Sequence, residues 1–178
     1  MTNKPLVGIL MGSDSDLPVM KEAAEVLMQL GVESEVHTLS AHRTPGAVVE
    51  YVHTSEAAGC KVFICGAGGA AHLAGVVAAH TALPVIGVPL MSAKMGAAGV
   101  DALFSTVQMP PGIPVATVGI NSAKNAGILA AQIVATSDMT LQSKVEAYKQ
   151  KLGADVLKKD TALQEKGFKK YLQEKGLV

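Results

Sequence analysis

The sequence has few of the features that mark nucleic-acid-binding or membrane proteins. Its 178 residues include no tryptophan, and aromatic residues make up 3%, so the stacking surfaces used to bind single-stranded nucleic acid are missing. Fifteen basic and fifteen acidic residues cancel, and no net charge favours nucleic acid. Proline and glycine interrupt the uncharged stretches, which therefore lack the roughly 20 unbroken apolar residues of a membrane span. We expect partners other than nucleic acid or membrane.

Cysteine is also scarce. Cys60 and Cys65 are the only two cysteines, too few and too close together for a disulfide framework or a zinc site. The N-terminus lacks the basic segment followed by an apolar core that forms a signal peptide. Together these features indicate a reducing compartment, and we expect a cytoplasmic protein.

Charge is absent from much of the second half of the chain. Between residues 70 and 137 the formally charged residues are Lys94, Asp101 and Lys124. So neutral a surface is hard to solvate on a monomer, and contact between copies of the chain would cover it. The charge pattern therefore predicts a homo-oligomer.

Short apolar segments alternate with segments of helical spacing along most of the chain. Strands are predicted at 5–11, 32–39, 61–65, 84–88 and 114–120, and helices at 17–30, 45–58, 73–79, 93–104 and 122–136. This alternation predicts a three-layer αβα fold with a parallel five-stranded sheet. We expect one domain over 1–178, with a core at about 5–137. A charged helical arm is expected at about 138–178, with breaks at Gly153, Gly167 and Gly176.

Polar residues follow the first predicted strand. The turn at 12–16 precedes a helix, where free N–H groups and the helix dipole attract anions. The hydroxyl groups of Ser13 and Ser15 suit a phosphate, and the Asp16 carboxylate suits the two neighbouring hydroxyl groups of a sugar. The alternative is that Ser13 or Asp14 only caps the helix.

A histidine and an arginine follow the second predicted strand. His42 is able to act as acid or base near neutral pH, and Arg43 offers a rigid guanidinium group to a phosphate. Pro45 suits the first position of the following helix. The alternative is an exposed helix start without a function. In a parallel sheet this edge is where ligands bind, so the pair predicts proton transfer on an anionic substrate.

A glycine-rich turn follows the third predicted strand, at 66–72. It matches the G-x-G-x-x-A form of a dinucleotide site, but it follows the wrong strand, and no acidic residue follows the next strand to hold a ribose. Glycines also allow a small, flat group to approach the backbone closely, and His72 could donate a hydrogen bond to such a group. A purely structural role for His72 is the alternative.

The three turns together resemble a known family, the class I N5-carboxyaminoimidazole ribonucleotide mutases of purine biosynthesis, also described as the catalytic subunit of phosphoribosylaminoimidazole carboxylase. The matching segments are 11–16, 40–45, 66–73, 87–89 and 108–115, in the family's order. The class II enzymes, which carboxylate aminoimidazole ribonucleotide directly with CO2, typically have lysine in place of Arg43. They also lack the Gly-Gly-Ala-Ala-His run, so the resemblance is to class I.

The resemblance implies a flavodoxin-like sheet, an octamer, a ribonucleotide substrate and neither a metal nor an organic cofactor. It implies that His42 is the catalytic acid and base, that Ser13, Ser15 and Arg43 bind the phosphate, and that Asp16 binds the ribose. The other substrate-binding residues that it implies are Ser40, Ala41, Gly68, Ala70, His72 and Leu73, around the migrating carboxyl group. Direct carboxylation with CO2, an NAD-dependent oxidoreductase and a nucleotide-binding module remain as alternative functions.

Overall fold

Strands and helices alternate along the chain in the computed structural model, which describes residues 4–91 and 98–177. The strands are β1 (Val7–Met11), β2 (Ser34–Thr38), β3 (Val62–Gly68), β4 (Val85–Leu90) and β5 (Ala116–Thr117). The helices are α1 (Leu17–Leu30), α2 (Pro45–Ala58), α3 (Leu73–Ala78), α4 (Val100–Val107), α5 (Ala123–Ala135), α6 (Met139–Lys166) and α7 (Phe168–Glu174). A short 3-10 helix at Asp14–Asp16 precedes α1.

The five strands form one parallel sheet in the order β2-β1-β3-β4-β5. The chain passes from β1 outward to β2 and then crosses to β3 on the other side of β1. In an open sheet, the crevice beyond the carboxyl ends of the strands at such a reversal is the usual ligand site. The order is flavodoxin-like, and the predicted fold class is confirmed.

Hydrophobic cores lie on both faces of the sheet. Successive side chains of a strand point to opposite faces, so Ile9 of β1 packs in the core under α1 and α5, and Leu10 packs in the core under α2 and α3. Every residue of β1 and β4 is buried, as expected for parallel strands covered on both sides.

Several predicted boundaries were wrong. β3 continues through Gly66 to Gly68, which were predicted to lie in the turn, because Ala67 and Gly68 still pair with Pro89 and Leu90 of β4. β5 is only two residues long, although 114–120 was predicted. The prediction of a helix at 93–104 falls partly on residues outside the described ones, and the described part forms α4 from Val100.

The C-terminal arm also differs from its prediction. α6 runs through Gly153 without a break, and Gly167 separates it from α7. Leu141 and Val145, in the first turns of α6, are buried in the core under α1 and α5, so the arm begins inside the folded body. Further along α6, Val156 and Leu157 are exposed. No helix in the described part of the chain is long and apolar enough to cross a membrane.

Candidate active site

A cavity of about 430 Å³ opens at the carboxyl ends of the strands, where the three turns meet. All eleven residues named from the sequence line it: Ser13, Ser15, Asp16, Ser40, Ala41, His42, Arg43, Gly68, Ala70, His72 and Leu73. Gly12 and Ala67 complete the lining. The cavity therefore brings together hydroxyl groups, a carboxylate, a guanidinium group and two imidazoles from three separate parts of the chain.

The first turn is a capped helix start. Ser13 accepts a hydrogen bond from the Ser15 amide at 3.3 Å, and the Asp16 carboxylate accepts one from the Ser13 amide at 3.2 Å. This reciprocal pair is a capping box, so the capping interpretation of Ser13 is correct. The Ser15 hydroxyl donates to the Ser13 hydroxyl at 2.9 Å, and both hydroxyl groups stay at the cavity wall.

Asp16 is half-buried in this wall. Loss of hydration on burial raises the pKa of its carboxyl, as does the nearby Asp14, while the Ser13 amide and Arg43 lower the pKa. The dominant effect is burial, which disfavours the charged form.

Hydrogen bonds form within the second turn and between the second turn and the first. The Thr44 amide donates to the Ser40 carbonyl, and the Ser40 amide donates to the Thr44 hydroxyl, each at 2.9 Å. Arg43 reaches across the cavity and donates from Nη2 to the Gly12 carbonyl at 2.5 Å. The guanidinium group is therefore held at the first turn, beside the serine hydroxyl groups.

The two cavity histidines contact each other. His42 Nε2 lies 2.9 Å from His72 Nδ1, and the rings meet edge to face with centroids 5.0 Å apart. One nitrogen must donate and the other must accept, so the contact fixes the tautomers of the two rings relative to each other. Sequence reasoning named both residues but missed this contact, since nothing local relates two side chains 30 positions apart.

The third turn forms a wall made of backbone. A side chain on Gly66 would place Cβ 2.3 Å from Met20 Sδ, and Gly69 has φ +63, a conformation that favours glycine. The Ser105 hydroxyl of α4 donates to the Asp101 carbonyl at 2.6 Å and lies 3.4 Å from the Gly69 carbonyl. Among the described residues, no cluster of three or more His, Cys, Asp or Glu side chains is arranged to hold a metal ion.

A family model described as AIR carboxylase matches residues 6–155. The chain belongs to the AIR carboxylase family. The match includes all three turns and extends into α6, so the matched segment contains the whole cavity and the first part of the arm.

Relatives within the family are similar in sequence to this chain over nearly its whole length. An N5-carboxyaminoimidazole ribonucleotide mutase of Thermotoga maritima is 54% identical over 96% of this chain and 99% of its own length. A protein of the same name from Synechocystis is 53% identical over 97% of both chains. A phosphoribosylaminoimidazole carboxylase of Saccharomyces cerevisiae is 50% identical over 97% of this chain, but over only 30% of its own length.

The fold of the family is also known from experiment. A crystal structure of Treponema denticola PurE superposes with a TM-score of 0.81 and 34% sequence identity. It covers 89% of this chain and 98% of the T. denticola chain. The sheet and the helices around the cavity are therefore those of the family.

Proposed function

We propose that this chain is an N5-carboxyaminoimidazole ribonucleotide mutase of purine biosynthesis, with His42 as its acid and base. The reaction moves a carboxyl group from nitrogen to the C4 carbon of the imidazole ring. The observation that carries the proposal is the meeting of the three turns in one cavity, which His42 lines together with Ser13, Ser15 and Arg43. Full-length identity of 54% to a mutase of this name supports the same reaction.

Each turn is assigned a part of the ribonucleotide. Ser13, Ser15 and Arg43 would bind the phosphate, because hydroxyl groups, amides and a guanidinium group meet at one helix start. The Asp16 carboxylate would accept hydrogen bonds from the ribose hydroxyl groups. Ser40, Ala41, Gly68, Ala70, His72 and Leu73 would then surround the ring and its carboxyl group.

The chemistry needs one proton donor that is later a proton acceptor. Protonated His42 gives its proton to the carbamate nitrogen as the N–C bond breaks, which leaves aminoimidazole ribonucleotide and CO2. The ring carbon attacks CO2 and forms the new C–C bond. Neutral His42 then removes the proton from C4 and returns to its starting state, so a single histidine completes the cycle. Water must be excluded, because escape of CO2 would end the reaction.

The contact with His72 is compatible with the single proton that the proposed cycle moves. With one added proton, the charged ring would still donate to the neutral one. With two added protons, both facing nitrogens would be donors and the contact would be lost.

Direct carboxylation of aminoimidazole ribonucleotide by CO2 is the second candidate. It is favoured by the name of the fungal relatives, phosphoribosylaminoimidazole carboxylase, although those proteins are much longer than this chain. The presence of arginine at position 43 and of the Gly-Gly-Ala-Ala-His run at 68–72 favours the mutase.

The two reactions are separated by their substrates. We expect rapid turnover of N5-carboxyaminoimidazole ribonucleotide and little product from aminoimidazole ribonucleotide with bicarbonate at physiological concentration. Both are followed by formation of the C4 carboxylate. Equal turnover from dissolved CO2 alone would favour the direct carboxylase.

Oligomerisation would complete the site. His42, Arg43 and His72 are all exposed on a single chain, which does not provide the dry surroundings that CO2 transfer needs. We infer a homo-octamer in which neighbouring copies cover the cavity, with Met109 and Pro110 as candidate contributors. As a purine-pathway enzyme with two free cysteines, the chain is assigned to the cytoplasm.

A further inference from the structure

A small cluster of polar and aromatic side chains joins β2 to α2. Glu35 and His37 lie two residues apart on β2 and so share a face. Tyr51 of α2 lies against both: its hydroxyl donates to Glu35 Oε2 at 3.5 Å, and its ring centroid is 4.3 Å from that of His37. His37 Nε2 lies 3.0 Å from Glu35 Oε1, although the two groups are not aligned as a hydrogen bond.

The sheet leaves room for the Tyr51 hydroxyl. A Cβ atom on Gly8 of β1 would lie 2.9 Å from Tyr51 Oη and 2.8 Å from Phe63 Cδ1, closer than packed atoms approach. Burial raises the pKa of the Tyr51 hydroxyl above its usual range, so this group remains a hydrogen-bond donor. Tyr51 is therefore seated in a defined place between the helix and two strands.

The remaining attachment of α2 to the sheet is small. Val48 and Val52 are the only residues of α2 that are fully buried. In the described part of the chain, the Tyr51–Glu35 bond is the one side-chain hydrogen bond that runs from α2 to β2. Elsewhere on α2, the Glu56 carboxylate accepts a hydrogen bond from the Thr81 hydroxyl at 3.0 Å, so the Tyr51 contacts are the ones that fix α2 to β2 itself.

β2 and α2 flank the loop that carries His42 and Arg43. β2 ends at Thr38 and α2 begins at Pro45, so only six residues separate them. The hydrogen bonds between Ser40 and Thr44 make these residues one unit. A shift of α2 relative to β2 would therefore move His42 and Arg43 together.

We propose that Tyr51 is a positioning residue, which holds the His42–Arg43 loop in place by fixing α2 against Glu35 and His37 of β2. Tyr51 itself lies outside the cavity and does not line it. The kinetic part of this inference rests on the proposed function of His42 and Arg43. The structural part does not depend on that function, since it concerns only how firmly the loop is held in position.

The test compares Tyr51→Phe, which removes one hydroxyl group, with Thr54→Val. Thr54 lies on the same helix, but its hydroxyl donates to the α2 backbone at Glu50, so it is a matched control. We expect Tyr51→Phe to speed amide hydrogen exchange at 39–48 by about two- to fivefold, the effect of one weak hydrogen bond. Exchange in the turn at 66–72 should stay unchanged, and Thr54→Val should match the wild type throughout.

Kinetics supply a second measurement. Because the loop carries both the acid/base and the phosphate ligand, Tyr51→Phe should lower kcat and raise KM together, by about two- to fivefold each. Simple loss of folded protein would lower apparent kcat and leave KM unchanged. Glu35→Ala should give the same changes, and the double variant should be no worse than either single variant, since the two act through one contact.

The outcomes are distinct. Unchanged exchange at 39–48 in Tyr51→Phe, equal changes in Thr54→Val, or additive effects of Tyr51→Phe and Glu35→Ala would each overturn the positioning role. Absence of mutase turnover in the wild type would instead contradict the proposed function, while hydrogen exchange would still decide the role of Tyr51.

Discussion

His42 and Arg43 are neighbours in sequence that face one cavity, yet they are assigned separate tasks. Arg43 is held at the Gly12 carbonyl at 2.5 Å, and His42 is held at His72 at 2.9 Å. Their side chains thus reach the walls contributed by β1 and by β3. Substitutions at the two positions should affect different measurements.

Replacing His42 with asparagine should remove turnover and leave nucleotide binding nearly intact. General acid–base catalysis contributes about 10²–10⁴-fold to a rate, and here one group would serve both proton transfers. Single-turnover rates and the nucleotide Kd test this expectation. His53→Asn, on the exposed face of α2, is the control and should keep the wild-type rate. Near-normal turnover in His42→Asn would reject the assignment.

Replacing Arg43 with alanine should weaken binding of the nucleotide much more than binding of its nucleoside. A hydrogen bond between charged groups contributes about 1.5–3 kcal/mol, and only the nucleotide has the phosphate. Calorimetric titration of both ligands gives the two affinities. Equal losses for nucleotide and nucleoside would place Arg43 away from the phosphate.

At the scale of helices and strands, the sequence predicted the type of each element better than the residues at which it begins and ends. The alternation of apolar segments with segments of helical spacing was enough to predict the sheet and the helices that cover it. A continuous apolar segment reflects a strand buried on both faces, and helical spacing reflects a helix buried on one face. Glycine misled the prediction twice. β3 keeps its pairing with β4 through Gly68, and α6 keeps its helix through Gly153. In both places the surrounding structure outweighs local propensity.

In the site too, some features could be predicted from the sequence and others could not. Each turn was recognisable, because its polar residues follow a strand at the edge where ligands bind. The contacts between turns were not, since His42–His72 and Arg43–Gly12 join positions 30 and 31 residues apart. Only the strand order brings such residues together.

Gly153 offers a test of the arm at this scale. It lies exposed inside α6, and a Cβ there meets nothing within 4 Å. Gly153→Ala should raise the free energy of unfolding by about 0.5–1 kcal/mol, because alanine loses less backbone entropy in a helix. Gly167→Ala is the matched control, and it should destabilise the protein because Gly167 has φ +73. Lower stability in Gly153→Ala, measured by urea unfolding, would contradict the continuous helix.

For the molecule as a whole, the main expectation is assembly. Phe104 and Val107 of α4 and Met91 after β4 are each about half exposed on a single chain, within the segment that carries almost no charge. A standard interface buries about 800 Å² per partner, and a closed symmetric assembly would cover several such patches without open-ended growth.

Light scattering at low micromolar concentration tests the assembly. We expect a single species of about eight chains of 18.3 kDa. Phe104→Glu should reduce its size, because a charge would then be buried between copies; Lys158→Glu, on the exposed part of α6, is the control. A monodisperse wild-type monomer would defeat both the octamer and any contribution of neighbouring copies to the site.

The backbone wall at 66–70 has a consequence for how this enzyme could acquire new substrates. A Cβ on Gly66 would have to displace the Met20 side chain, and Gly69 has a positive φ that disfavours a side chain, so substitution at these two positions is restricted. A laboratory-evolution library directed at Gly66 and Gly69 should therefore contain many destabilised proteins. Diversity placed at Ala41, which lines the cavity, would leave the proposed phosphate ligands and the Ser40–Thr44 bonds in place, and new specificities should be recovered there.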